Sequence, residues 1–248
     1  MSSRRVRTTS RPSAQAQQAA RLAAEQAARR RHDRRVLLGV LTALVVLVVG
    51  GGVGLQAWRT HRLPTAGPEV AVTDAPQPLR DGQPIRLGAS DAPLTVQLYA
   101  DFHCPHCVDF EEELGPTLRA AEAAGRVRTD LYPMAFVDAG SAPAANAMAC
   151  ATEAGFGVRY HAGLFANPTL QWSDAQLLDL AGKVGADADA GFTRCVTSDA
   201  KAGWVDSINA AADRAGVTQT PTMVLDGAPV DIAGLTPESL QSMIDAKR

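Results

Sequence analysis

The sequence predicts an α/β domain carrying an inserted helical block and preceded by one transmembrane helix. Three observations carry that prediction. A run of 23 residues without a charge, from Val36 to Trp58, lies near the N-terminus. Beyond it the apolar patterning reads strand, helix, strand, a long Ala-rich helical stretch, hairpin, helix. A Cys-Pro-His-Cys sequence, residues 104 to 107, sits where the first of those strands gives way to a helix.

The chain has 248 residues and a net charge of −2, unevenly distributed. Residues 1–35 hold ten Arg against Glu25 and Asp33, a net of +8, so the remaining 213 residues carry a net of −10. A basic tail and an acidic body are different objects, and an acidic body argues against a nucleic-acid-binding core. As a helix, Val36 to Trp58 spans roughly 34 Å, enough for the hydrocarbon core of a bilayer. Arginines crowd the N-terminal side of the run, and Arg59 and Arg62 alone follow it closely. This bias places residues 1–35 in the cytoplasm and the bulk of the chain outside. A cleaved export signal is the competing reading. Its n-region would be unusually long, and Leu55-Gln56-Ala57 is a poor cleavage site. Residues 59–84 contain five prolines and read as an extended linker holding the domain off the membrane.

The folded domain begins near Ile85 and runs to residue 248. Leu94 to Ala100 is an apolar, β-rich run and reads as a buried strand. A helix starts at the Cys104 segment, passes Phe110 and Leu114, and bends near Pro116. Val127 to Phe136 is the second strand. Residues 141–216 are Ala-rich with helical spacing, and Ser173 caps one of the helices there. Thr222 to Leu225 and Ala228 to Ile232 flank Asp226-Gly227, a strong hairpin turn. Thr236-Pro237 opens the last helix, with Thr236 as N-cap and Pro237 at the first helical position.

Cys104 and Cys107 carry the chemistry. Disulfide exchange needs a thiolate, and a helix N-terminus stabilises one through its free amides and dipole. Pro105 at the first helical position sacrifices no hydrogen bond. Cys107 lies one turn on, within reach of Cys104, and His106 between them adds a donor or a positive charge. Stabilising the thiolate stabilises the reduced form and makes the pair oxidising. The reading is Cys104 as exposed nucleophile and Cys107 as shielded resolving thiol. A c-type haem site would need His at position 108, which is Val. A zinc site on Cys104, Cys107 and His103 or His106 lacks a second ligand pair in the sequence. A purely structural bridge across so short a loop would add little stability.

The second signal is Val217-Thr218-Gln219-Thr220-Pro221-Thr222, directly before a strand. Proline entering a central strand is poorly tolerated, and a cis X–Pro turn accounts for it. With Tyr99-Ala100-Asp101-Phe102 before the Cys-x-x-Cys and Phe110-Glu111-Glu112 after it, the segment from 85 to 247 resembles the DsbA-like branch of the thioredoxin superfamily. Residues 1–84 lie outside the resemblance. It implies a thioredoxin fold with a helical insertion and a cis-proline loop at Thr220-Pro221 facing the active-site helix. The backbone of Thr220 would then pair with a substrate peptide. It also implies that Glu111 is a candidate tuning residue. A solvated helix carboxylate is the competing reading of Glu111, and a helix cap that of Asp101. Cys150 and Cys195 remain after Cys104 and Cys107 are paired by proximity. A structural disulfide between them, as in some members of that branch, competes with two buried free thiols.

The expected activity is disulfide donation to exported proteins. The implied partners are those proteins and a membrane reoxidant of DsbB or vitamin K epoxide reductase-like type, with no cofactor and no metal. A reductase or isomerase of the same fold is the alternative. A non-enzymatic metal-binding module using Cys104, Cys107 and His106 is another.

Overall fold

A computed structural model describes residues 14–68, 74–168 and 171–247. Residues 1–13 of the basic tail and 69–73 of the linker lie outside the described residues. The chain divides into two units, Met1–Ala57 and Trp58–Arg248.

The first unit is built on α1 (Ala14–His61), whose last residues run into the second. Val36–Ala57 within it, 22 residues of mean hydropathy 2.7, is the one stretch among the described residues long and apolar enough to cross a membrane. Its Leu and Val side chains are exposed all round, Val48 by 73%. A helix apolar on every face and unburied in protein suits a lipid environment.

The second unit is organised around a five-stranded sheet of order β1-β3-β2-β4-β5. β2 (Leu94–Ala100) is central and almost wholly buried. It runs parallel to β3 (Val127–Pro133) and antiparallel to β4 (Thr222–Leu225). The parallel pair needs a crossover, supplied by α2 (Pro105–Glu113) and α3 (Gly115–Ala123). The expected bend near Pro116 is a break, with Leu114 capping both helices. β4 returns through Asp226-Gly227 to β5 (Ala228–Val230), both turn residues having positive φ, as a tight hairpin of this kind requires. β1 (Ile85–Gly88) adds an antiparallel edge to β3. α9 (Pro237–Ala246) closes the chain with a Thr236–Ser239 capping box.

Between β3 and β4 the helical block holds α4 (Ser141–Ala154), α5 (Gly157–Phe165), α6 (Asp174–Lys183), α7 (Ala190–Thr197) and α8 (Ala202–Arg214). α4 is its axis. Seven of its fourteen residues are Ala, and most of the helix is buried. Small side chains let α5, α7 and α8 approach closely. Ser173 and Gln176 form a capping box on α6, and Asp189 caps α7. Cys150 on α4 and Cys195 on α7 form a disulfide across a separation of 45 residues. Closing a loop of that length removes chain entropy from the unfolded state, worth about 4 kcal/mol. The Cys150→Ala/Cys195→Ala variant is expected to unfold at correspondingly lower denaturant with an increased m-value, which urea titration checks.

Residues 62–84 correct one expectation. The described residues of this stretch form no regular element, yet they do not run free as a spacer. The Gln176 side chain donates to the Arg62 carbonyl, 2.7 Å, and Asn167 bonds both backbone groups of Thr65. Asp74 accepts from the amides of Val158 and Arg159 at the start of α5. The Gln77 amide donates to Thr152, and Trp204 Nε1 donates to the Arg80 carbonyl. Proline denies the segment a ladder of its own, so side chains of the domain satisfy its backbone and hold it as a strap.

Candidate active site

Cys104 occupies the N-cap of α2 with extended backbone, and Pro105 follows at the first helical position. Its carbonyl accepts from the amides of Cys107 and Val108, which starts the helix. The Cys104 sulfur therefore sits at the positive end of α2. As a thiol it donates to the Thr220 carbonyl across 3.4 Å. The Thr220-Pro221 peptide bond is cis. The Cys104 sulfur and the backbone of the cis-proline loop thus meet at one place. Cys104 is 6% exposed and Cys107 1%. The expectation of an exposed Cys104 is corrected: both cysteines are buried, Cys104 with its sulfur against the Thr220 carbonyl, and they differ in degree of shielding. Both are free thiols. Burial pushes the Cys107 thiol well above its ordinary range, outweighing the Asp101 amide that donates to its sulfur, 3.5 Å.

His106 points outward. Its side chain is 84% exposed and lies 3.9 Å from Asp109. The buried imidazole at the head of α2 belongs instead to His103, whose Nδ1 donates to Asp138, 2.8 Å. Gly140 packs on the His103 ring so tightly that a Cβ there would overlap it. Asp101 does not cap the helix. Its fully buried carboxylate accepts from the amides of His103, Phe136 and Val137, tying the active-site turn to the segment after β3.

Glu111 lies on the buried face of α2, paired with Arg119. Burial raises its pKa to about 7 against the opposing Arg119. Glu122 on α3, hydrogen-bonded by Thr129, is raised to about 7 by the same cause. His161 completes the cluster and is held neutral by burial and by Arg119, at about 3. The sequence reading gave His161 no role and missed Glu122. A carboxylate raised in the folded state binds its proton more tightly there than when unfolded. Its contribution is present below about pH 4.5 and lost as pH rises towards 7. Glu122→Gln is expected to remove that loss, so between pH 5 and 8 the variant gains on the parent chain by about 2 kcal/mol. Paired denaturation at the two pH values measures it.

A Cys-x-x-Cys at a helix N-terminus, facing a cis-proline loop on this sheet, defines a DsbA-like thiol–disulfide oxidoreductase. The chain belongs to the thioredoxin family, whose sequence model matches residues 80–246. Solved structures agree. Reduced DsbA from Mycobacterium tuberculosis is 24% identical with a TM-score of 0.57, covering 66% of this chain and 92% of that one. The disulfide bond oxidoreductase DsbG of the same organism is 25% identical, TM-score 0.57, covering 67% and 88%. MdbA, a thiol–disulfide oxidoreductase from Corynebacterium diphtheriae, is 21% identical, TM-score 0.58, covering 73% and 96%. Among curated proteins, the Na(+)/H(+) antiporter NhaA 3 of Salinispora tropica is 27% identical over 222 residues. The chain spans about a third of that relative's length.

Proposed function

We propose that this chain is an extracytoplasmic, membrane-anchored protein that donates the Cys104–Cys107 disulfide to exported proteins. The observation that carries the reading is the placement of the Cys104 sulfur, at the N-cap of α2 and against the Thr220 carbonyl. A client thiolate attacks the Cys104 sulfur of the enzyme disulfide. The Cys104–Cys107 bond breaks, the client–Cys104 bond forms, and Cys107 leaves as a thiolate that takes up a proton. The client's second thiolate then attacks its own bridged sulfur and releases the Cys104 thiolate. Two electrons pass from the client to the enzyme pair, while the client's thiol protons go to water, which protonates Cys107. Burial of Cys107 favours its protonated form and so retards its return attack on the mixed disulfide. The enzyme's dithiol is reoxidised by a membrane partner of DsbB or vitamin K epoxide reductase-like type. The basic residues 1–35 lie on the cytoplasmic side, and the Val36–Ala57 helix keeps the domain near both partner and export machinery.

The test is the reduction potential of the Cys104–Cys107 pair, read on the full chain in detergent by equilibration with glutathione buffers. A value of roughly −120 to −180 mV supports disulfide donation. A value near or below about −230 mV reverses the direction and makes the protein a reductase or isomerase.

A further inference from the structure

Beside the reactive pair, a groove of about 380 Å³ runs between α2, the cis-proline loop and the segment joining β5 to α9. His106 and Pro221 belong to its lining, so the groove and the active site are continuous. Phe110, Leu114 and Ile232 make its floor apolar, the first two being buried. Its rim carries the carboxylates of Asp109, Glu113 and Asp231, all on exposed residues. No Lys or Arg is among the described residues that line it. His106 is its one titratable nitrogen, and the nearest carboxylate to that ring is Asp109, at 3.9 Å. Asp231 is anchored through the Ala233 amide that it accepts, 3.0 Å, and so holds a fixed place on the rim.

We propose that this groove selects client segments in which basic residues flank the reacting cysteine; the proposal rests on the oxidoreductase reading above. An extended segment paired with the Thr220 backbone lays alternate side chains into the groove. The floor takes an apolar side chain. A Lys or Arg beside it reaches the rim, its methylene stem lying on the apolar surface and its charge among the carboxylates. Residues 36–248 carry a net charge of −10, a field of the same sign that draws basic segments towards the groove before contact. Acidic segments meet like charge on every side of it.

The experiment uses the full chain in detergent with its Cys104–Cys107 pair oxidised. Three dithiol peptides of one length and one apolar pattern carry Lys, Gln or Glu on both flanks of the first cysteine. The readout is the second-order rate of peptide disulfide formation, in which the peptide loses two electrons to Cys104 and Cys107 and its thiol protons to water. The Lys peptide is expected to react about five- to tenfold faster than the Glu peptide, the Gln peptide falling between them. The spread is expected to shrink to within about twofold at 0.5 M NaCl, and again in Glu113→Gln/Asp231→Asn at low salt. Asn at 231 preserves the acceptor for Ala233, and Asp109 is left in place because it faces His106. Equal rates for the three peptides, or a faster Glu peptide, overturn the charge selection while leaving the oxidoreductase reading intact. A spread that persists unchanged in the variant overturns the assignment to this rim. Failure of all three peptides to react overturns the oxidoreductase reading and the proposal with it.

Discussion

Cys107→Ser is expected to convert the protein from a turnover catalyst into a trap. When the variant meets a peptide disulfide, Cys104 attacks and a mixed disulfide forms. No second thiol one turn along the helix is left to displace the peptide, so one adduct per chain accumulates and is released only by added reductant. Cys104→Ser is expected to form the adduct at least a hundredfold more slowly. Its remaining thiol is 1% exposed and held well above the ordinary range by burial. Each unit of that rise costs a tenfold loss of the reactive thiolate at fixed pH. Intact mass spectrometry of both variants, sampled against time, separates the two roles. Equal adduct formation by both would remove the assignment of Cys104 as the attacking sulfur. The comparison matters because their exposures are close, 6% against 1%, so access alone does not decide the order. What distinguishes them is surroundings: Cys104 faces the head of α2 and the Thr220 carbonyl, whereas Cys107 lies inside the helix's buried face.

Those surroundings were legible in the sequence to an uneven degree. Local chemistry was readable where it completes itself within a few residues. Pro105 starts α2, Ser173 and Thr236 cap α6 and α9, and Asp226-Gly227 turns β4 into β5. The strand β2 was readable because Leu94, Val96, Leu98, Tyr99 and Ala100 give it a dense apolar, β-rich pattern broken only by the half-buried Thr95 and Gln97. β1 was not, since only Ile85 and Leu87 of its four residues face the core. The proline-rich segment 62–84 reads as a spacer because its partners, Gln176, Asn167, Thr152 and Trp204, lie about 70 or more residues away. Glu111 shows how a helical period was there to be used. It follows Cys107 by four residues, and a buried Cys107 puts it on the buried face. Its partner Arg119 and neighbour Glu122 belong to the next helix, so the cluster exists only once α3 folds back on the sheet. The same holds for the acidic rim, where Asp231 joins Asp109 and Glu113 across more than a hundred residues.

His106 and His103 exchange parts for a related reason. The dipeptide between the cysteines attracts attention because it is close in sequence to both sulfurs. On the helix it falls on the outer face, beside Asp109. His103 stands before the helix begins, where the chain leaves β2, and is driven under Gly140 and onto Asp138. Hydrogen bonds from His103 and from the Gly140 amide hold the Asp138 carboxyl below its usual range, against the opposing effect of burial. The turn that presents Cys104 is therefore fixed from the side of the segment after β3 as well as by α2.

Asp101 fixes it most firmly, and Asp101→Ala is expected to be the most damaging single change outside the two active-site cysteines. Its carboxylate is 0% exposed and accepts three backbone amides at 2.9 to 3.1 Å. Hydrogen bonds to a charged group contribute about 1.5–3 kcal/mol each, and buried amides stripped of their acceptor keep the desolvation cost. Part of the loss is recovered by relaxation of residues 136 and 137, so the expected destabilisation is about 5 kcal/mol, comparable to the whole stability of many domains. Asp101→Asn keeps one acceptor oxygen but turns a donor towards one set of amides, and is expected to cost about half as much. The two variants also separate stability from chemistry. The Asp101 amide that donates to the Cys107 sulfur is backbone and survives both substitutions. If the carboxylate acts by holding the turn, the fraction of Asp101→Asn that remains folded should form the Cys107→Ser-type adduct at near the parent rate when combined with that substitution. If adduct formation falls together with stability in the folded fraction, the carboxylate charge itself acts on the Cys104 thiolate, and the turn is more than a support for it.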